Sequence, residues 1–193
     1  QCSFVCPHAA VRAKQIKPED LDEAPGTFKT VDSKTKNDSS LKYRLQVYVE
    51  DCVGCANCAN TCPVGALEMV PIQEERAKGE AQNAAFFDNL PDNITDGAKI
   101  DTVKGSQFLR PLFEFHGACG GCAEAAYIKI ATQLFGERMI IANATGCSSI
   151  YGGTFPTIPY SKTKEGSGPC WANSLFEDNA EYGFGMRLAV NTK

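Results

Sequence analysis

Cysteine is the residue type with the most chemistry to offer in this sequence, and its spacing is not scattered. Of the ten cysteines, eight lie in tight groups: Cys2 with Cys6, Cys52 with Cys55, Cys58 and Cys62, and Cys119 with Cys122. Thiols that close along a chain cannot all reach distant partners in relaxed disulfide geometry, but they suit a metal cluster whose corners are near one another. The four from Cys52 to Cys62 read C-x2-C-x2-C-x3-C and are followed by Pro63, the run that holds a 4Fe-4S cubane. Three cysteines at intervals of three wrap one cubane, while the longer last step carries the chain away, so the fourth cysteine serves a second cluster. Structural zinc, held by four ligands in one tetrahedron, fits this spacing less well.

The chain opens with the same ending, "QCSFVCPHAA". Crossed ligation assigns Cys6 to the cluster of Cys52, Cys55 and Cys58, and assigns Cys62 to a second cluster with Cys2 and two cysteines expected upstream of Gln1. The chain is therefore expected to be an internal piece of a longer protein, which the absence of an initiator Met supports. "CPHAAVRA" parallels "CPVGALEM", an internal repeat of the ferredoxin kind with pseudo-twofold symmetry expected. Gly54, Ala56 and Asn57 are small enough to let backbone N–H groups approach the cluster sulfurs, and Pro63 fixes the exit of the chain.

The elements that must position these cysteines are partly legible. "YRLQVYVED" alternates Leu45, Val47 and Val49 on one face, a strand leading into the Cys52 loop. Between the repeats, about residues 13–41 read as a surface insertion, with Pro25-Gly26 and Asn37-Asp38-Ser39-Ser40 as breakers. After a ferredoxin-like domain over 1–71, residues 72–109 read as a weakly helical, turn-rich linker. From Ala123 the pattern is helical, with Tyr127, Ile130, Ala131 and Leu134 on one face and Gly136 at the C-cap position. "RMIIANA" reads as a buried strand, with Cys147 just past its carboxyl end, where open α/β sheets place ligands. Cys119, Cys122 and Cys147 are thus expected to converge on one cubane. Cys170 reads as either the fourth ligand of that site or, more readily, a small buried residue beside Trp171, Glu124 as either a first-turn acid of its helix or a cofactor contact, and His8 and His116 as structural or solvent-facing, since neither has a partner at ligand spacing. The acids of "NSLFEDNAEYGFGMRLAV" read as belonging to a helix start and to the surface rather than as a catalytic pair.

With 43% apolar and 22% charged residues and a net charge of −4, the 193-residue chain reads as globular. Such a balance argues against a nucleic-acid or acidic-membrane partner, and no stretch approaches the roughly 20 apolar residues that span a bilayer.

"GACGGCAEAAYIKIATQLFG", "MIIANATGCSSIYGGTFP" and "GPCWANSLFEDNAEYGFGM", following a two-cluster ferredoxin module with an insertion, resemble the pyruvate:ferredoxin (flavodoxin) oxidoreductases over essentially the whole chain. The resemblance implies an α+β two-cluster ferredoxin-like domain, cut at its N-terminus, followed over 110–193 by the beginning of an α/β thiamine-diphosphate-binding domain. It implies three 4Fe-4S clusters in the parent enzyme, thiamine diphosphate with Mg2+, and coenzyme A as co-substrate. The implied reaction takes pyruvate to acetyl-CoA and CO2, with electrons passed to ferredoxin or flavodoxin by a homodimeric, cytoplasmic enzyme, or a hydrogenosomal one in an anaerobic eukaryote. The thiamine-side cluster would be held by Cys119, Cys122 and Cys147 with a fourth ligand far downstream, and Glu124 and Cys147 would contact the thiamine. Family members commonly carry Ala at the place of Cys170, which puts it outside the site. No G-D-G with a downstream Asn occurs, so the diphosphate has no recognisable cradle and this piece alone is not expected to be catalytic. The alternative is a free-standing two-cluster electron-transfer protein.

Overall fold

A computed structural model describes residues 1–35 and 40–192; the breaker at Asn37-Asp38-Ser39 lies outside them. The chain runs α1 (Cys2–Val5), β1 (Val11–Ile16), a 3-10 turn (Pro18–Leu21), β2 (Val31–Asp32) and β3 (Lys42–Val47). These strands form one antiparallel sheet in the order β1-β3-β2, with Val11 opposite Val47 and Val31 opposite Tyr43. The expected strand leading to the Cys52 loop is therefore present as β3.

Every residue of β1 is buried although the strand carries Arg12, Lys14 and Gln15. Buried charge is tolerable only when paired, and each of these is. Arg12 forms an ion pair with Glu114, with its guanidinium 4.6 Å from the Tyr48 ring centre. Lys14 pairs with Asp92 at 2.7 Å and donates to the carbonyls of Phe87 and Leu90. Ser33 and Thr35 each donate to Gln15 Oε1 at 2.7 Å. The insertion thus opens only after Ile16, later than residue 13, and folds back to add β2 to the sheet.

Next come α2 (Asn57–Thr61), α3 (Ile72–Ala77), α4 (Glu80–Asn89) and α5 (Val103–Ser106). The stretch over 72–109 is not a loose connector. Phe87 and Leu90 enter the main core beside Cys6, Ala10, Val11, Ile16, Phe28 and Tyr48, because α4 turns its Ala84 and Phe87 face onto the sheet. A methyl on Gly105 would lie 1.9 Å from the Lys99 carbonyl oxygen, so only glycine fits there.

The remainder is α6 (Ala123–Phe135), a 3-10 turn (Gly136–Arg138), β4 (Ile140–Asn143), α7 (Cys147–Gly153), β5 (Cys170–Asn173) and α8 (Asp178–Asn191). β4 and β5 pair in parallel, Ile140 beside Cys170. Three expectations are corrected. The buried face of α6 is Ala125, Lys129, Thr132 and Gln133, while Tyr127 is 73% exposed; the helix turns its polar groups inward because they meet backbone carbonyls and polar side chains there. β4 is not buried, because its two-stranded sheet leaves Ile140 half exposed. Cys170, first residue of the same short sheet, is exposed rather than buried. Gly136 follows α6 as expected, but in right-handed conformation; its role is close packing, since a methyl there would meet Leu112 at 2.9 Å.

The segments expected as separate domains interlock. Ser3 donates to Gln107 at 3.0 Å, the Phe115 amide to the His8 carbonyl at 3.1 Å, and Gln107 to Gln133 at 3.2 Å. Among the described residues no helix is long and apolar enough to cross a membrane.

Candidate metal centre

Cys6, Cys52, Cys55 and Cys58 line one pocket, together with His8, Ala10, Val11, Val53, Ala56 and Met69. Cys6 comes from the first copy of the repeat and the other three from the second. Local backbone explains how the three are presented. Gly54 and Ala56 both have left-handed φ, +68° and +61°, and Ala56 then caps α2, which carries Cys58. Cys6 arrives from the other side as the C-cap of α1. Burial pushes the Cys58 thiol up, and the neighbouring sulfurs of Cys6, Cys52 and Cys55 push it the same way. A coordinated thiol is deprotonated outright, so binding of cationic iron would offset that penalty at Cys58.

The wall of this pocket carries a further clue to what it accommodates. His8 is almost fully buried, and neither ring nitrogen has a hydrogen-bond partner. Backbone groups of His116 and Cys119 stand near it, outside hydrogen-bond geometry, and burial pulls its pKa down. An orphaned imidazole donor beside four thiols fits a group rich in sulfide acceptors. Among the described residues, no three of His, Cys, Asp or Glu are grouped to hold a metal ion.

Cys2 and Cys62 stand outside the lining of that pocket. Cys2 begins α1 and Cys62 ends α2, and these two helices pack together. The Ala66 amide donates to Cys62 Sγ at 3.2 Å, and this amide, with that of Val64, draws the thiol pKa down.

The third group is built differently. The Cys122 amide closes a turn onto the Cys119 carbonyl, and Cys122 leads into α6. Cys147 opens α7, one turn before Tyr151, which packs with Phe113 and Ala125 against Cys122. Glu124 and Cys122 lie near the Tyr151 hydroxyl and, after burial, raise its pKa. Tyr151, in the second turn of α7, therefore lies against the first turn of α6, while Cys119 and Cys147 are exposed and Cys122 is half-buried.

This third group touches the first. A methyl on Gly120 or Gly121 would meet Cys55 Cβ at 3.8 or 3.5 Å, and Asn57 Nδ2 donates to the Gly121 carbonyl at 3.5 Å. Gly121 also has φ +81°. The glycine doublet between Cys119 and Cys122 was the available sequence signal for this close approach. Two more residues with roles at the site carried weaker signals. His116 stacks on His8 with ring centres 4.2 Å apart; its Nε2 donates to the Pro7 carbonyl at 2.8 Å and its Nδ1 accepts from the Ala118 amide, an arrangement that fixes a neutral ring with its proton on Nε2. Lys129 on α6 reaches the carbonyls of α1.

Residues 45–68 match the 4Fe-4S binding domain family. Over 98% of its length the chain is 57% identical to the pyruvate:ferredoxin oxidoreductase of Moorella thermoacetica, of which it spans 16%. It is 48% identical over 98% of its length to a probable pyruvate-flavodoxin oxidoreductase of Escherichia coli, spanning 17% of it. It is also 50% identical over 96% of its length to the pyruvate dehydrogenase [NADP(+)] of Cryptosporidium parvum, spanning 10% of it. With an α+β ferredoxin-like region in its first half, the chain thus corresponds to one segment, about a sixth of the length, of the pyruvate:ferredoxin and pyruvate-flavodoxin oxidoreductases.

Proposed function

We propose that this chain is the stretch of such an enzyme across which electrons leave a thiamine-side iron–sulfur cluster and enter a ferredoxin-type one, in the oxidative decarboxylation of pyruvate to acetyl-CoA and CO2 with ferredoxin or flavodoxin as acceptor. The observation that carries this reading is the contact of the two cysteine loops, Gly120 and Gly121 against Cys55 and Asn57. Cys6, Cys52, Cys55 and Cys58 hold one 4Fe-4S cluster, Cys2 and Cys62 contribute to a second, and Cys119, Cys122 and Cys147 hold the one nearest the thiamine. Thiamine diphosphate, bound with Mg2+, supplies the stabilisation of carbanion character that lets CO2 leave and electrons be withdrawn.

This chain's own residues hold and insulate. The glycine doublet lets the two ligand loops approach without intervening side chains. His8 and His116 close the gap between the first pocket and the 113–118 segment and exclude water from it. Glu124, at the start of α6, stands beside the Cys122 turn, where it would orient the cofactor.

Stopped-flow spectra of the anaerobically purified full-length protein, mixed with pyruvate and coenzyme A, test the order. Cys147→Ser is expected to abolish acetyl-CoA formation and ferredoxin reduction together. Cys55→Ser is expected to leave rapid reduction of the first cluster in a single turnover while ferredoxin reduction is lost. Ferredoxin reduction at the wild-type rate by Cys147→Ser would overturn the reading.

A further inference from the structure

Lys129 is 1% exposed and lies at the centre of α6. Its ammonium donates to the carbonyls of Ser3, Phe4 and Cys6, the last two at 3.0 and 2.9 Å. These are carbonyls at the C-terminal end of α1, which helix geometry leaves without partners of its own. All three donors of the ammonium are thereby used, yet its charge is not neutralised. No carboxylate forms an ion pair with it among the described residues. The Cys6 carbonyl that it binds belongs to a residue of the first cysteine pocket, and the nearby Arg12 is itself committed to Glu114. Lys14, the other buried lysine, has Asp92 as its counter-ion.

A buried cation without a counter-ion is costly, and a free thiol supplies none at neutral pH. A thiolate bound to iron does, permanently. We infer that Lys129 is the built-in counter-charge of the cluster held by Cys6, Cys52, Cys55 and Cys58, reaching from the helix that begins at Cys122 to favour the reduced form of that cluster. The inference rests on the 4Fe-4S assignment above and adds that a residue outside every cysteine loop sets the potential. Reduction adds one electron to the cluster, and a fixed positive charge nearby stabilises that added negative charge; hydrogen bonds and net charge around a cluster are known levers on its potential.

The test is redox titration of the full-length protein, with the cluster followed by EPR. Lys129→Gln keeps hydrogen-bond donors and removes the charge; Lys129→Met removes both; Lys129→Arg keeps the charge. At a fixed ambient potential near the midpoint, either neutral variant is expected to show a reduced-to-oxidised ratio about tenfold lower, a shift of about 59 mV to lower potential for one electron, while Lys129→Arg restores most of it. Lys14→Gln is expected to leave the midpoint in place. Iron and sulfide content keeps the two ideas apart: wild-type protein with no 4Fe-4S cluster in this pocket would sink the assignment. Loaded neutral variants with an unmoved midpoint, or an arginine variant displaced as far as the neutral ones, would sink the counter-charge and show Lys129 to be a packing clamp.

Discussion

The two copies of the cysteine repeat share a backbone and differ in almost everything around it. Cys6 and Cys62 both end a short helix in nearly the same conformation, φ −72° and ψ 108° against φ −69° and ψ 111°. Three residues on, Ala9 and Gly65 occupy the same left-handed region, φ 56° and 59°. Between them stand His8, 2% exposed, and Val64, 81% exposed. The first copy then continues into β1, buried on both faces; the second, from Ala66 to Met69, forms no strand. The pseudo-twofold symmetry expected from the sequence is therefore present in the ligand turns and absent beyond them. Local sequence dictates how a cysteine turn is folded, and distant residues dictate how it is covered. In the first copy the cover comes from α4, the 113–116 segment and α6, which lie some eighty to one hundred and twenty residues away in sequence.

The strongest way to break this contrast is to remove the cover. Phe87 is completely buried in the core that contains Cys6 and makes an edge contact with Tyr48. Phe87→Ala is expected to cost about 3–5 kcal/mol, the range for a large aromatic cavity, and to lower the iron retained by the pocket. Val64→Ala, at the exposed end of the second copy, is expected to stay within about 0.5 kcal/mol of wild type. Urea unfolding of both variants would settle the comparison; equal losses would mean that the two copies are supported alike.

Acid is expected to act on the first copy too. Burial, partly offset by the Pro7 hydrogen bond and reinforced by His8, lowers the pKa of His116 to about 4. An unfolded histidine titrates near 6.5, so between pH 6.5 and 4 the unfolded chain binds the proton that the folded ring refuses. Stability is fully present above pH 6.5 and falls as the pH drops toward 4, by roughly 3 kcal/mol at most. His116→Gln, which retains a donor, should flatten that slope. Hydrogen exchange of the 113–118 amides at pH 7 and pH 5 reads it directly, and an unchanged slope would show the titrating group to lie elsewhere.

What the sequence disclosed follows the same division. The four-cysteine run, β3, the existence of α6 and the place of Cys147 just past the end of β4 were all legible, because each is set by residues close together in the chain. The inward face of α6 was not. Tyr127, Ile130, Ala131 and Leu134 make the better apolar stripe, yet Lys129, Thr132 and Gln133 are the buried ones, since orphan carbonyls of α1 and the polar side chains of Gln107 await them. The same reason hid the burial of Arg12, Lys14 and Gln15, whose partners Glu114, Asp92 and Ser33 carry no periodic signal. The packing of α4 was missed because its two core aromatics sit in a stretch otherwise rich in turn formers and charge. His8 and His116 could be seen only as lone histidines; their stacking needs the 113–116 segment to return to the start of the chain.

The smallest expected effect isolates the shared backbone from the unshared cover. At Gly65 a methyl would meet nothing within 4 Å, so Gly65→Ala adds only the strain of a left-handed alanine, about 1 kcal/mol. At Ala9 the same strain is already present, and the methyl is buried to 1% exposure. Ala9→Gly therefore relieves the strain, but it surrenders a buried methyl worth about 0.8 kcal/mol and loosens the unfolded chain by roughly 0.5–1 kcal/mol. These contributions nearly cancel, and Ala9→Gly is expected to lie within about 1 kcal/mol of wild type, on the destabilising side. The two substitutions run in opposite chemical directions at one conformation, yet both are expected to lower stability, the first through backbone strain and the second through lost burial. A clear stabilisation by Ala9→Gly in denaturant unfolding would mean that the methyl contributes little to the packing of the first copy, and that the asymmetry between the copies begins only at β1.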